Sequence, residues 1–224
     1  MDQYQDPEQL CPLNGHAVCP LLEEYRRMKA EIGRLRELSQ TDSLTGLFNL
    51  RYLLNALEGE MERTRRTGLP TSLIMIDLDR FKYINDTYGH EFGNEALRSA
   101  SRNWRESMRR IDIPCRYGGD EFAIILPGTH LQQALYTARR LKNSLEDLIL
   151  KHEKERVNMT ASLGVEAYTE SDRACTVEDF IKKADLYLLE AKAKGGNCVC
   201  HDKDKTAKTS DGITLKKRQA LFRK

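Results

Sequence analysis

The chain has 224 residues, of which 40% are hydrophobic, 31% charged and only 7% aromatic, enough for one sizeable core and a short accessory segment. Thirty-six Lys and Arg against 34 Asp and Glu leave a formal charge of +2, which excludes the global basic field of a dedicated nucleic-acid coat. Apolar runs such as Phe122 to Leu126 are far shorter than the ~18 to 20 residues of a membrane span, and no basic-then-apolar leader follows Met1. A cytoplasmic chain with neither nucleic acid nor membrane as partner is expected.

Residues 1–20 carry three prolines and little periodicity, which predicts a leader that is loop, disorder or a small sensor. Leu21, Tyr25, Met28, Ile32 and Leu35 then recur at steps of four and three, so a helix is predicted over 21–40. Its apolar seam packs either on its own domain or on a second copy. The six cysteines, at 11, 19, 115, 175, 198 and 200, are too sparse for a disulfide scaffold and read as thiols. Cys11, His16 and Cys19 near the start, with Cys198, Cys200 and His201 near the end, leave a soft-metal or redox sensor as the alternative, although their spacing matches no standard zinc pattern.

From Thr41 the pattern alternates between helix and strand. Asn49 caps a helix running to about Thr67, and Thr71 to Asp77 is a buried strand entered after Gly68 and Pro70. A helix follows from Gly93 to Arg109, with Leu97, Trp104 and Met108 on one face. Ile113 to Tyr117 and Phe122 to Leu126 flank a glycine turn and form a hairpin. Leu131 to Leu150 is helical, Asn158 to Ala167 a strand, Val177 to Lys194 helical and Asn197 to Cys200 a last short strand. This order predicts an α+β fold over 41–201, a ferredoxin-like βαββαβ palm with extra helices at its start and end. Residues 202–224 hold eight Lys or Arg against three Asp, which reads as a flexible basic tail or a weak anion-binding arm.

Asp77 and Asp79 close the first strand, while Asp120 and Glu121 occupy the hairpin tip. In a sheet of this order those elements are central neighbours, so the four carboxylates are expected to converge. Such a set needs a counter-ion, and hard oxygen ligands suit Mg²⁺. Gly118 and Gly119, lacking Cβ atoms, let a phosphate or nucleoside lie against the backbone; Lys82, His90, Lys192 and Lys194 supply positive charge nearby. Singly, a D-x-D is commonly a helix cap and a G-G-D-E only a turn. Jointly, at a strand end and a hairpin tip, they point to metal-assisted phosphoryl or nucleotidyl transfer.

The run Arg116-Tyr117-Gly118-Gly119-Asp120-Glu121-Phe122 resembles the signature of the GGDEF-domain diguanylate cyclases, whose fold is a nucleotidyl-cyclase-like palm. Asp42-Ser43-Leu44-Thr45-Gly46-Leu47, Asp77 to Asp86, Tyr88-Gly89-His90, Ser162-Leu163-Gly164 and Ala184-Asp185-Leu186-Tyr187 match further landmarks in order. The resemblance implies condensation of two GTP to cyclic di-GMP and two pyrophosphates. It also implies that Asp77, the Leu78 carbonyl and Asp120 hold Mg²⁺ or Mn²⁺, and that Asp120 helps deprotonate the 3′-hydroxyl with Glu121 as a supporting carboxylate. Lys82 stabilises charge on the phosphates, Lys192 reaches the terminal ones, and Asn85 contacts guanine. One domain binds one GTP, so a homodimer is implied, which the 21–40 helix would bring together. Arg109 and Asp112 form the R-x-x-D of a product-inhibition site for cyclic di-GMP; the plain alternative is a salt pair at a helix end.

Two positions depart from the pattern. Asn94 stands where the family has an acid that reads guanine, and an amide suits adenine's edge better, so ATP use and a mixed cyclic GMP-AMP product form an alternative to cyclic di-GMP. Gly196 replaces an arginine that contacts the terminal phosphates, a role Lys194 would have to fill. A weakly active cyclic-dinucleotide receptor is a further alternative, which intact Asp77, Asp120, Glu121 and Lys82 disfavour. A polymerase palm is disfavoured at this length, which leaves no room for template-holding domains.

Overall fold

The computed structural model describes residues 20–38, 40–153 and 155–202, with the side chains of the first helix described over 23–32. The leader, both of its cysteines and the basic tail beyond Asp202 lie outside the described residues. The chain divides into two units, 1–40 and 41–224. In the first, α1 (Pro20–Leu38) is a regular helix on which Met28 and Ile32, two residues of the predicted seam, are 55% and 51% exposed.

The second unit begins with α2 (Leu50–Thr67). The Asn49 side chain accepts the Tyr52 amide at its N-terminus, as the sequence suggested, and a left-handed Gly68 closes it. Strand β1 (Thr71–Leu78) is buried along its whole length. Ile74, Ile76 and Leu78 face one core while Leu73 and Met75 face the other, which explains a run that is apolar rather than alternating. Two helices follow, α3 (Phe81–Tyr88) and α4 (His90–Ser107), then the strands β2 (Ile113–Gly118) and β3 (Glu121–Leu126). Helix α5 (Leu131–Glu146) leads into a separate hairpin, β4 (Ile149–His152) and β5 (Glu155–Asn158). Strand β6 (Ala161–Tyr168), helix α6 (Val177–Ala193) and strand β7 (Val199–His201) complete the unit.

The main sheet has the order β2-β3-β1-β6-β7. Its β1, α4, β2, β3, α5 and β6 form the predicted βαββαβ palm, antiparallel throughout; β7 adds in parallel to β6 at the edge. Helices α4 and α5 cover one face, where Trp104 sits 5.0 Å edge-on from Phe122 and donates its indole N–H to the Leu141 carbonyl at 3.2 Å. Helices α2 and α6 cover the other with Leu53, Leu57, Met61, Phe180 and Leu188. Among the described residues no helix is long and apolar enough to cross a membrane.

Three boundaries differ from the sequence reading. The 131–150 helix stops at Glu146, because Leu150 and Val157 pair across the β4–β5 hairpin and bury there instead. The next strand accordingly starts at Ala161 rather than Asn158. Between Asp77 and Gly93 lies the additional helix α3, entered through Arg80 in the left-handed region (φ 56°), and α4 begins at His90.

Candidate active site

The antiparallel register sets Asp77 directly opposite Glu121, and the Leu78 amide donates to the Asp120 carbonyl at 3.3 Å. The end of β1 and the tip of the β2–β3 hairpin therefore share one edge, as the sequence pattern required. Burial pushes the Asp77 carboxyl above its ordinary range; the Lys192 ammonium, donating to Oδ2 at 2.6 Å, pulls it back, and the charges of Asp120 and Asp79 raise it again. Glu121 is likewise raised, first by burial and then by the Asp77 charge. Like charges brought together at a buried edge repel, and a bound cation would offset that repulsion.

Asp79 does not join this group. Its Oδ2 accepts the Thr160 hydroxyl at 2.7 Å and the Asn197 amide at 2.9 Å, and its Oδ1 accepts the Ser162 hydroxyl at 2.7 Å. The expected convergence of four carboxylates reduces to Asp77, Asp120 and Glu121, with Asp79 instead tying β1 to β6 and to the turn after α6. Among the described residues no three His, Cys, Asp or Glu side chains stand close enough together to hold an ion by themselves. The donor types nonetheless suit a hard divalent cation, since the acidic side chains of Asp77 and Asp120 come from neighbouring strand ends, with the Lys192 ammonium as the counter-charge to Asp77.

The glycine turn is braced from below. Arg116 donates to the Gly119 carbonyl at 3.0 and 2.7 Å and grips both carboxylate oxygens of Asp42 at 3.1 and 3.2 Å. Burial works to raise Asp42, but the Thr45 hydroxyl and amide and the Arg116 charge outweigh it and hold the carboxyl below the usual range. The sequence reading gave neither Asp42 nor Arg116 a role, because the two are 74 positions apart and only the fold joins them. On the other side of the turn, the space where a Cβ of Gly118 or Gly119 would stand is open.

The remaining predicted site residues lie on α3, on α4 and in the turn after α6. Lys82 and His90 are exposed at the starts of α3 and α4. Asn85 and Asn94 flank the α3–α4 corner, where Asn85 Oδ1 lies only 1.9 Å from the place a Cβ on Gly93 would take. Gly93 thus makes room for the Asn85 amide. The Lys194 ammonium, which would have to stand in for the missing arginine, is engaged by Glu190 and by the Cys200 sulfur. Gly196 has φ 81°, and a Cβ there would stand 2.9 Å from Asp79 Oδ1, so this turn is shaped around glycine rather than around a longer side chain.

Arg109 and Asp112 lie at the α4–β2 junction. Asp112 Oδ2 accepts the Arg109 amide at 2.8 Å, so one oxygen closes a turn rather than awaiting a ligand. Its Oδ1 is buried without a hydrogen-bond partner. Burial raises the Asp112 carboxyl, opposed by the Arg109 amide and by the Arg109 and Arg140 charges. Arg109, Arg110 and Asp112 line a cavity of about 480 Å³ together with Arg105, Phe48 and Pro114. Arg140, held to the Ser107 carbonyl at 2.7 Å, is a cation that the spacing within 109–112 gave no means of finding.

A mostly antiparallel sheet with helices on both faces, an acidic edge and an open glycine turn is the α+β nucleotidyl-cyclase-like palm. The family model for "Diguanylate cyclase, GGDEF domain" matches residues 39–198, and the chain belongs to that family. It is 43% identical over 166 residues to the response regulator PleD of Caulobacter vibrioides, covering 73% of this chain and 36% of that protein. With diguanylate cyclase DosC of Escherichia coli it shares 38% over 185 residues, covering 82% and 39%. The chain spans less than two thirds of these relatives' lengths. Among solved structures, diguanylate cyclase SiaD of Pseudomonas aeruginosa, crystallised with its activator SiaC, superposes with a TM-score of 0.70 at 35% identity, covering 81% of this chain and 69% of that one. The GGDEF domain of DgcB from Caulobacter crescentus, in complex with c-di-GMP, superposes at 0.68 with 26% identity, covering 72% and 92%.

Proposed function

We propose that this chain is a diguanylate cyclase, condensing two GTP to cyclic di-GMP and two pyrophosphates by attack of each 3′-hydroxyl on the other nucleotide's α-phosphate. The observation that carries this reading is the Asp77–Glu121 register, which sets the end of β1 against an open glycine turn. Family membership and relatives named as diguanylate cyclases support it.

Asp77, the Leu78 carbonyl and Asp120 would hold Mg²⁺ or Mn²⁺, which when bound lowers the pKa of the attacking hydroxyl and clamps attacking and leaving oxygens. The protein's own part is positioning. Asp120 takes the hydroxyl proton, with Glu121 beside it. Lys192 exchanges Asp77 for the terminal phosphates and Lys82 adds charge from α3; the Gly118–Gly119 backbone admits the triphosphate, near His90 at the start of α4. Asn85 and Asn94 meet the base. Each domain takes one nucleotide, so a homodimer is needed, for which the exposed Met28 and Ile32 of α1 offer an apolar seam. The unpartnered Asp112 Oδ1 and the exposed Arg109 beside their cavity support feedback by cyclic di-GMP.

Incubating the purified protein with Mg²⁺ and GTP, ATP or both, and resolving products by mass spectrometry, tests the reading. Cyclic di-GMP is the expected main product. A dominant mixed cyclic GMP-AMP would assign Asn94 the relaxed specificity its amide permits, and no cyclic product from any mixture would leave only the receptor reading.

Two further results are expected. Because protons compete with a cation for carboxylates whose pKa values are raised, the rise in melting temperature on adding Mg²⁺ should be large at pH 8 and shrink as pH falls toward 5. A shift independent of pH would detach the cation from Asp77 and Glu121. Gly93→Ala should push Asn85 from the corner and raise KM for GTP about tenfold, in line with the ~1 to 3 kcal/mol of a base contact, with little change in kcat. Steady-state kinetics decide, and an unchanged KM would remove Asn85 from base recognition.

A further inference from the structure

The β4–β5 hairpin forms a two-stranded sheet of its own, apart from the palm. A hairpin of that size is marginal alone in water, so what its inner face touches decides where it sits. Leu150 and His152 alternate onto one face of β4, opposite Val157 and Glu155 on β5. Leu150 and Val157 are buried in the core, which leaves His152 and Glu155 for a second contact. That contact is the α3–α4 corner. The half-buried His152 ring stands 5.1 Å from Tyr88 and 5.0 Å from Phe92, edge-on to the latter at 79°, and Tyr88 and Phe92 are themselves 5.2 Å apart. The Tyr88 hydroxyl also donates to Glu155 Oε2 at 3.3 Å. Three rings in mutual contact thus join the last residue of α3, the first turn of α4 and the end of β4.

The corner has need of a brace. Helix α3 is only eight residues long and passes into α4 through Gly89 at φ 85°, a joint that glycine makes without strain but does little to stiffen. Asn85 lies one turn before Tyr88, and Asn94 two positions after Phe92, so the two amides stand on opposite sides of the joint. The Gly89 amide donates to the Asn85 carbonyl at 2.9 Å and the Gly93 amide to the Gly89 carbonyl at 3.1 Å, while the Asn85 side chain fills the space over Gly93. Any rotation at Gly89 therefore shifts one amide against the other.

On the reading that sets the nucleobase against Asn85 and Asn94, we propose that His152 is a positioning residue for base selection. With Tyr88 and Phe92 it fixes the spacing of the two amides across the Gly89 joint, so a hairpin that touches no reacting atom governs which base is taken. An amide at position 94 offers guanine one acceptor for two donors, so discrimination rests on the alignment of few hydrogen bonds, and these weaken steeply once misdirected. Lys192, which serves the phosphates, is held by Asp77 and belongs to α6, outside the ring cluster. Loosening the corner therefore costs guanine its aligned contacts and leaves the shared triphosphate contacts in place.

Calorimetric titration of the full chain, with Mg²⁺ and either 3′-deoxy-GTP or 3′-deoxy-ATP, reads base selection without turnover, because both analogues lack the attacking hydroxyl. His152→Ala should weaken 3′-deoxy-GTP about tenfold and 3′-deoxy-ATP by less than about twofold, lowering the ratio of affinities at least about fivefold. His152→Phe keeps a ring against Tyr88 and Phe92 and should restore the ratio. Phe92→Leu keeps apolar bulk without the ring and should lower the ratio from the α4 side. Melting curves set a temperature at which every variant is folded; partial unfolding would weaken both analogues alike and leave the ratio where it was. An unchanged ratio in His152→Ala and Phe92→Leu would overturn the brace, and failure of His152→Phe to restore it would overturn the ring contact as its cause. The expected shift in a chain that makes no cyclic product from GTP would overturn the cyclase reading alone, and a chain that takes up neither analogue would overturn both.

Discussion

Asp77→Asn is expected to cut cyclic product formation by at least about a thousandfold, while the cation-free protein melts at the same temperature or higher. The first half follows from geometry. Asp77 is the buried carboxylate at which β1, the glycine turn and Lys192 meet, and an amide there offers one neutral oxygen where a cation needs an anion. The second half follows from linkage. The folded carboxyl has a raised pKa, so between the ordinary value near 4 and the raised one the native chain holds a proton that the unfolded chain has released. Stability attached to Asp77 therefore falls as pH rises through that window and stays lower above it. Removing the charge removes the loss, and Lys192, whose side chain is 39% exposed, keeps its hydration. Initial rates with Mg²⁺ and GTP, with melting curves at pH 5 and 8, check both halves. Turnover near that of the unaltered chain would dismiss Asp77 from catalysis, and a large loss of stability at pH 8 would show the carboxylate to be structural.

The palm was legible because its elements announce themselves locally. Leu73 to Ile76 is an unbroken apolar run followed by an acid, as fits a strand buried on both faces, and Gly118-Gly119 between two apolar runs reads as a tip. The β4–β5 hairpin was illegible for an equally local reason. Leu145, Leu148 and the charged 151–156 stretch continue a helical rhythm, and the turn that breaks it uses Glu153 at φ 51°, a conformation no preference of glutamate signals. Helix α3 was hidden in the same way, since Arg80 opens it in the left-handed region without a capping side chain. The reading of Asp79 failed on range. Its hydroxyl partners are 81 and 83 positions away and its amide partner 118, so sequence spacing beside Asp77 suggested a shared cation where the fold supplies donors.

That correction gives the second large effect. Asp79→Ala is expected to lower the unfolding free energy by about 3 kcal/mol, and Asp79→Asn by about 1 kcal/mol. Alanine strands the Thr160 and Ser162 hydroxyls and the Asn197 amide together, and the donors belong to two separate stretches of chain, the start of β6 and the turn after α6, so no neighbour inherits them. Each hydrogen bond to a carboxylate is worth about 1.5 to 3 kcal/mol, but they act as one unit and both hydroxyls can turn toward water, which keeps the total well below the sum. Asparagine keeps one oxygen for Asn197, and its amide hydrogens can be accepted by a rotated hydroxyl. The Asn197 turn follows Lys192 by five residues, so the alanine variant should also lose nucleotide affinity beyond what its stability explains. Denaturant midpoints at constant slope measure the first effect and GTP titration at a temperature where both variants are folded measures the second. Equal midpoints for the alanine and asparagine variants would show that packing against Gly196, rather than the three hydrogen bonds, is what Asp79 contributes.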